Sequence, residues 1–281
     1  MHALWNTIGK QSASGTVFYA WATLSGALLF SPLMLINGVQ VLQLPIAFWV
    51  LLVASGGFQA IYFTGLAKAY RCADLSLVYP LARSIPVLIV PLLMIIAYGE
   101  TQLTLAHLCA MTIIVAGALV LPLKRWRDWH VKAYWSPGVG WALIAALGTA
   151  AYSITDSAAV HLMKRDGWGA FSAGSSFVVL QGYSIAAWIF LIIKIRGNAI
   201  SLSKKISRKA ILLTGFFVMA TYLLVLISMS MVEDVSFIVA LRQLSIPIGV
   251  GIGAIWLKEK LTLPRITGVA VMLIGLMLVA L

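Results

Sequence analysis

Charge, acid and cysteine are all scarce in this chain. Of its 281 residues only 10% are charged, and the eight Asp and Glu are outnumbered by twenty Lys and Arg. A soluble domain carries roughly 25% charged residues, and no hydrophilic stretch here is long enough to form one. The two cysteines, Cys72 and Cys109, are not spaced as a metal or redox motif and say nothing about compartment. His107, His130 and His161 are isolated, and no Cys/His cluster suggests a metal. There is no H-E-x-x-H, G-x-S-x-G or Walker sequence. An intramembrane enzyme and an ATP-driven pump both lose support, and neither catalytic residue nor cofactor is expected. No basic n-region precedes the first apolar stretch, so a cleavable signal pattern is missing too.

What is present is apolar sequence. The chain is 62% hydrophobic, with a mean hydropathy of +1.00. Runs near or above 18 residues recur along its length, which predicts a polytopic helical membrane protein. The runs lack the alternating polarity of a membrane β-barrel. Ten segments stand out, at about 1–10, 16–36, 44–67, 75–98, 103–122, 138–158, 168–193, 210–231, 235–257 and 262–281. The first would span about 15 Å as a helix, half of a ~30 Å hydrocarbon core. It is either a half-span or part of a longer native helix.

The net charge of +12 invites a nucleic-acid partner, and the placement of the cations argues against one. Arg83 and Arg242 lie deep inside apolar runs; the other eighteen Lys and Arg sit in short loops or at span ends, sixteen after odd-numbered segments and only Lys164 and Arg165 after even-numbered ones. That asymmetry is a topology signal, and it places the odd loops in the cytoplasm and both termini outside.

Arg83 and Arg242 share a surrounding pattern. The first copy runs through Asp74, Ser76, Arg83, Pro86 and Glu100 into LTL from Leu103; the second runs through Asp234, Ser236, Arg242, Pro247 and Glu259 into LTL from Leu261. Arginine and glutamate are 17 residues apart in both. ALWNTIGK from Ala3 likewise matches AYSITD from Ala151. The expected fold is therefore an all-α polytopic membrane protein of about ten transmembrane helices in two inverted five-helix repeats. The first repeat would be 1–122, the basic connecting loop 123–137, and the second repeat 138–281. An odd number of spans inserts the second copy upside down, and inverted repeats are a transporter architecture.

HALWN from His2, AYRCADLSLVYPLAR from Ala69 to Arg83, Gly99-Glu100 and LKEKL from Leu257 resemble the EamA family of the drug/metabolite transporter superfamily. The resemblance covers nearly the whole chain and is most specific around Arg83. It implies a ten-helix secondary transporter of small metabolites, and no particular substrate. Two departures stand out. The first helix is short, and Gln243 follows Arg242 where relatives often carry Glu. Many members of the superfamily are described with both termini cytoplasmic; the loop charges here predict the reverse.

Several buried polar groups are candidates for chemistry. Arg83 lies roughly 13 Å into its span, and a charge at that depth normally faces a cavity or a partner. Arg242 carries the same argument. The guanidinium fork matches carboxylate or phosphate oxygens, which favours an anionic or zwitterionic substrate. A structural arginine bound to a helix-end carbonyl or a buried acid is the competing reading. Tyr79 lies one turn before Arg83 on the same face, and Pro80, Pro86 and Pro91 punctuate that span and free carbonyls. Asp156 is the acid placed well inside a span, one turn after Tyr152, and is the candidate for proton coupling or for pairing with a substrate amine or an arginine. Trp5, Asn6, Tyr62, Tyr152 and Gln243 complete the expected substrate-binding set. Gln59, Gln181, Tyr183 and Tyr222 are read as helix-packing groups. The same holds for the small residues around Ser55–Gly57, Gly174–Ser176 and Gly249–Gly253. Asp74 and Asp234 are expected to cap helices.

The function expected is secondary transport of a small polar, anionic or zwitterionic metabolite across the bacterial inner membrane by alternating access. The partners would be a small-molecule substrate and the lipid bilayer, with a homodimer left open and no nucleic acid. A multidrug exporter of lipophilic cations, a lipid-linked flippase and a non-transporting membrane assembly partner are the alternatives.

Overall fold

The computed structural model describes residues 15–36, 38–73, 75–99, 103–123, 125–128, 135–197, 199–200, 207–256 and 261–280. The segment 1–10, with Trp5 and Asn6, lies outside the described residues, as do Asp74, Glu100, Glu259 and His130. Among the described residues 87% are helical and none lies in a strand. The helices are α1 (Thr16–Phe30), α2 (Ile46–Cys72), α3 (Leu75–Ser84), α4 (Pro86–Tyr98), α5 (Leu105–Val120), α6 (Pro137–Arg165), α7 (Ala170–Ile195), α8 (Arg208–Met229), α9 (Val235–Leu241), α10 (Ser245–Trp256) and α11 (Leu263–Val279). Among the described residues six stretches are long and apolar enough to cross a membrane: Thr16–Leu35, Ile46–Cys72, Leu77–Ile96, Pro137–Arg165, Ala170–Ile195 and Arg208–Met229. This is a helical membrane protein.

Local chemistry explains several boundaries. Thr104 caps α5 in a reciprocal box: its hydroxyl accepts from the His107 backbone N–H at 3.3 Å, and His107 Nδ1 accepts from the Thr104 N–H at 3.1 Å. His107 therefore has a structural partner, and its ring also stands edge-on to Phe237 at 5.0 Å. Asp234 caps α9 as expected, accepting from the Ser236 N–H at 2.8 Å. Gly99 ends α4 at φ 70°, where a side chain would be strained, and its N–H returns to the Ile95 carbonyl at 2.9 Å.

Two segments expected as single helices, 75–98 and 235–257, are each interrupted. In the first, Ile85 separates α3 from α4, and Pro86 stands at the first position of α4. Proline has no N–H to continue the ladder of α3, yet its fixed φ suits a new helix start. In the second, a 3₁₀ turn over Arg242–Leu244 separates α9 from α10. Pro247 lies in α10, so its missing N–H withdraws one donor from this break. Arg83 and Arg242 thus both lie beside a broken helix.

The described residues divide into two compact units, Met1–Ala67 with Ala151–Glu233, and Lys68–Ala150 with Asp234–Leu281. Each unit draws on both halves of the sequence. In the first, α1 packs on α7 and α8, which pack on each other. The crossing of α1 and α8 depends on glycine: a Cβ on Gly26 would lie 2.6 Å from the Gly215 carbonyl oxygen, and one on Gly215 would strike the Ala22 carbonyl. On α2, Gly56 lets Ser184 of α7 approach, and Trp188 of α7 donates its indole N–H to the Val53 carbonyl at 2.9 Å. The second unit is built on α5 and α11. Gly117 and Gly268 bring these backbones together; a Cβ on either would lie 2.7 Å from the other's carbonyl oxygen. Small residues permit this approach where no hydrophobic effect drives helices together.

Candidate functional site

The first unit carries a polar cluster inside otherwise apolar helices. Asp156 of α6 is 0% exposed. Its carboxylate accepts from the Ser55 hydroxyl of α2, the Tyr222 hydroxyl of α8, and the Gln181 amide of α7 at 2.7 Å. The same Gln181 amide also donates to Ser55 Oγ at 2.6 Å. The contacts close a ring, from Asp156 Oδ1 through Ser55 and Gln181 back to Asp156 Oδ2. One carboxyl group therefore ties four helices together. An ionised carboxylate is an acceptor only, and all three neighbours can donate to it. This arrangement answers the demand of a buried charge for hydrogen bonds.

Tyrosines stand around the ring. Tyr152 lies one turn before Asp156 on α6, and its ring is edge-on to Tyr222 at 5.8 Å and to Tyr62 at 5.9 Å. All three tyrosines are buried. Such edge-to-face pairs suit the aromatic quadrupole. Ser55 meets Asp156 while Tyr62, seven residues on, meets Tyr152, four residues back; α2 and α6 are therefore antiparallel here. Gln59 lies between Ser55 and Tyr62 on α2, and its amide nitrogen is buried with no hydrogen-bond partner among the described residues. Ser153 Oγ on α6 is in the same condition.

The second unit holds the arginines. Arg83, at the end of α3, is 8% exposed. Its Nη2 donates to the Arg242 backbone carbonyl at 3.0 Å and to Ser245 Oγ at 3.2 Å. Ser245 Oγ itself donates to that carbonyl at 2.8 Å. The carbonyl belongs to the 3₁₀ turn, where it also accepts from the Ser245 N–H, so Arg83 docks on the backbone at the helix break. Its guanidinium also lies 5.8 Å from the Tyr79 ring, as their one-turn spacing predicts. Arg83 Nε and the Tyr79 hydroxyl are buried and make no hydrogen bond among the described residues. Gln243 donates to the Val239 carbonyl at 2.9 Å, and its Oε1 is buried without a partner.

Asp156, Tyr62 and Tyr152 are thus brought together in one unit, and Arg83, Arg242, Tyr79 and Gln243 in the other; Trp5 and Asn6 lie outside the described residues. Sequence reasoning set aside Ser55, Gln181 and Tyr222 as packing groups, yet they are the partners of Asp156. The available signal was the presence of hydrogen-bonding side chains in apolar spans; which ones converge is a matter of helix packing. Tyr183 keeps its structural reading, sharing a 2.6 Å hydrogen bond with Ser31. Among the described residues, no group of three or more His, Cys, Asp or Glu is placed to hold a metal ion.

No family model matches the chain, and no curated protein matches it. A crystal structure of a protein 20% identical superimposes with a TM-score of 0.70 over 98% of this chain and 92% of its own. At that identity the likeness speaks for the fold alone.

Proposed function

We propose that this chain is a secondary transporter of the EamA type, built of about ten spans in two inverted five-helix repeats. It resides in the bacterial inner membrane and moves a small polar, anionic or zwitterionic metabolite by alternating access. The observation that carries this reading is Asp156. An acid 0% exposed, in a helix of membrane-crossing length, is costly to place there. A purely structural helix contact needs no ionisable group. Arg83 supports the reading from the second unit: part of its fork is engaged by backbone, while Nε–H and the neighbouring Tyr79 hydroxyl remain available to an anionic group.

One observation favours a second reading. A buried acid with three tyrosines beside it is also the chemistry that receives an organic cation, and Arg83 is directed at a carbonyl rather than at open space. An exporter of lipophilic cations would use Asp156 and leave Arg83 to structure.

Thermal stabilisation of the purified protein separates the two. The panel comprises amino acids, organic acids, phosphorylated metabolites, nucleosides and tetraphenylphosphonium. Any stabilising compound is then followed as a radiolabel in proteoliposomes. Counterflow of an anionic or zwitterionic compound supports the first reading; counterflow of tetraphenylphosphonium alone replaces it with the second. Absence of counterflow for every stabilising compound overturns transport.

A further inference from the structure

The ring around Asp156 has a hydrogen inventory that can be followed atom by atom. It contains four contacts: Ser55 Oγ to Asp156 Oδ1, Gln181 Nε2 to Ser55 Oγ, Gln181 Nε2 to Asp156 Oδ2, and Tyr222 Oη to Asp156 Oδ2. With the carboxylate ionised, each contact holds one hydrogen, given by Ser55, by the two amide hydrogens of Gln181, and by Tyr222. A proton added to Oδ1 meets the hydrogen that Ser55 already directs there, so that donor must turn away.

The two carboxylate oxygens are not equivalent in this respect. Oδ2 already accepts from both Gln181 and Tyr222. Oδ1 faces a serine hydroxyl, which can rotate among staggered positions. One turn back on α2 lies the Leu51 carbonyl, and serine and threonine hydroxyls in helices readily bond to that i−4 oxygen. This chain does so repeatedly: Thr23 to Tyr19 at 2.8 Å, Ser31 to Ala27 at 2.8 Å and Thr149 to Ala145 at 3.1 Å. Tyr222 has no such freedom, because its O–H lies near the ring plane.

We propose that this ring is a proton-binding site in which Asp156 Oδ1 takes up one proton and the Ser55 hydroxyl turns to receive it. The proton comes from water, and the site charge goes from −1 to zero. The new Asp156 O–H donates to Ser55 Oγ, Ser55 redirects its own hydrogen to the Leu51 carbonyl, and Gln181 and Tyr222 keep their bonds to Oδ2. Every donor of the ring has its acceptor in the charged state, and in the neutral state Ser55 gains one once its hydroxyl has moved toward Leu51. Ser55 is a positioning residue, and Gln181 and Tyr222 hold the carboxyl plane while the charge changes. The proposal deepens the transport reading by identifying a coupling ion and the groups that handle it.

Among the described residues, the titratable groups in contact with the ring or its tyrosines are Tyr62 on α2, Tyr152 on α6 and Tyr222 on α8; α7 presents the neutral Gln181. Farther along α6, His161 is bound to the Val232 carbonyl at 3.0 Å and Lys164 to the Ser230 carbonyl at 2.6 Å.

The test is infrared difference spectroscopy of the purified protein between about pH 4 and about pH 10, with the proton as the only ligand. A protonated-carboxyl band should titrate, disappear in Asp156→Asn and move in Asp156→Glu; the glutamate variant keeps the assignment open should the asparagine variant not fold. Ser55→Ala removes a charge-assisted donor from the ionised form and a weaker, neutral acceptor from the protonated form; the stronger loss decides the sign, so its midpoint should rise, by up to about one pH unit or a roughly tenfold tighter hold on the proton. Ser55→Thr should restore the original midpoint. A carboxyl band insensitive to Asp156, or a Ser55→Ala midpoint equal to that of the unaltered protein, overturns the proposal. The readout needs no transported solute: a titrating ring in a protein without counterflow keeps the proton site and removes the transport reading, and counterflow without a titrating ring does the opposite.

Discussion

Arg83 places its guanidinium on the backbone carbonyl of Arg242 at 3.0 Å. The two arginines mark equivalent places in the repeated sequence pattern, yet one serves the other's main chain. Helix breaks make this contact available. A carbonyl carries two lone pairs, and that of Arg242 already accepts from the Ser245 N–H of the 3₁₀ turn and from Ser245 Oγ; Arg83 adds a charged donor from another helix.

That contact sets the first prediction. Arg83→Lys should lower transport more than it lowers membrane abundance, because an ammonium cannot reproduce the planar fork. Arg83→Gln should lower transport further while the protein still inserts. Truncating a buried charge partner often costs ~2–5 kcal/mol of binding, a loss of tens-fold or more in affinity. Transport rate normalised to abundance on a blot is the measurement; a parallel fall in both quantities would make Arg83 purely structural.

A second prediction concerns the stability of the first unit. Tyr222→Phe removes a buried donor from Asp156, and Asp156→Ala leaves the Ser55 and Tyr222 hydroxyls and one Gln181 N–H without their acceptor. Each stranded buried group costs about 1–3 kcal/mol. Thermal unfolding in detergent should therefore rank the unaltered protein above Tyr222→Phe, and Tyr222→Phe above Asp156→Ala. An Asp156→Ala protein as stable as the original would show that the ring contributes nothing to the fold.

The glycine contacts give a third prediction with an internal control. Gly215→Ala and Gly117→Ala place a methyl group against backbone carbonyls of the facing helix, and overpacking of this kind costs typically 1–3 kcal/mol. Gly251 has nothing within 4 Å of its Cβ position, so Gly251→Ala should be neutral or mildly stabilising through helix propensity. Melting temperatures of the three variants decide the matter. Equal losses at all three positions would refute close packing as the reason for Gly117 and Gly215.

Orientation is the fourth prediction. Sixteen of the eighteen cations outside the buried pair follow odd-numbered segments, so loops 123–137 and 194–209 should be cytoplasmic and a C-terminal reporter fusion should read as periplasmic. A cytoplasmic readout would mean that the topology described for many members of the superfamily it resembles prevails over the charge rule.

Much of the helical layout was legible because membrane helices are written in uninterrupted apolar runs. Among the described residues each α-helix overlaps one of the apolar segments, while the 3₁₀ stretch Gly38–Gln43 falls between two of them. Asp234 as a cap and the Tyr79–Arg83 face were legible for a similar reason, since both depend on spacing within one helix. The breaks beside Arg83 and Arg242 were only half legible. Prolines announced freed carbonyls, but Pro247 lies beyond the 3₁₀ turn, and nothing in its position fixes where the helix parts.

Sequence by itself determined that the chain is helical and apolar and that Asp156 is an acid inside a span. Tertiary structure alone decided which hydroxyls and amides meet that acid. Ser55, Gln181 and Tyr222 come from three other helices, 101, 25 and 66 residues away along the chain. A lone polar residue on an apolar helix must find a partner, and the apolar pattern does not say which. The choice rests on how close two helices approach and how they are rotated, which glycines such as Gly26, Gly56 and Gly215 set through contacts that no spacing along a single helix encodes.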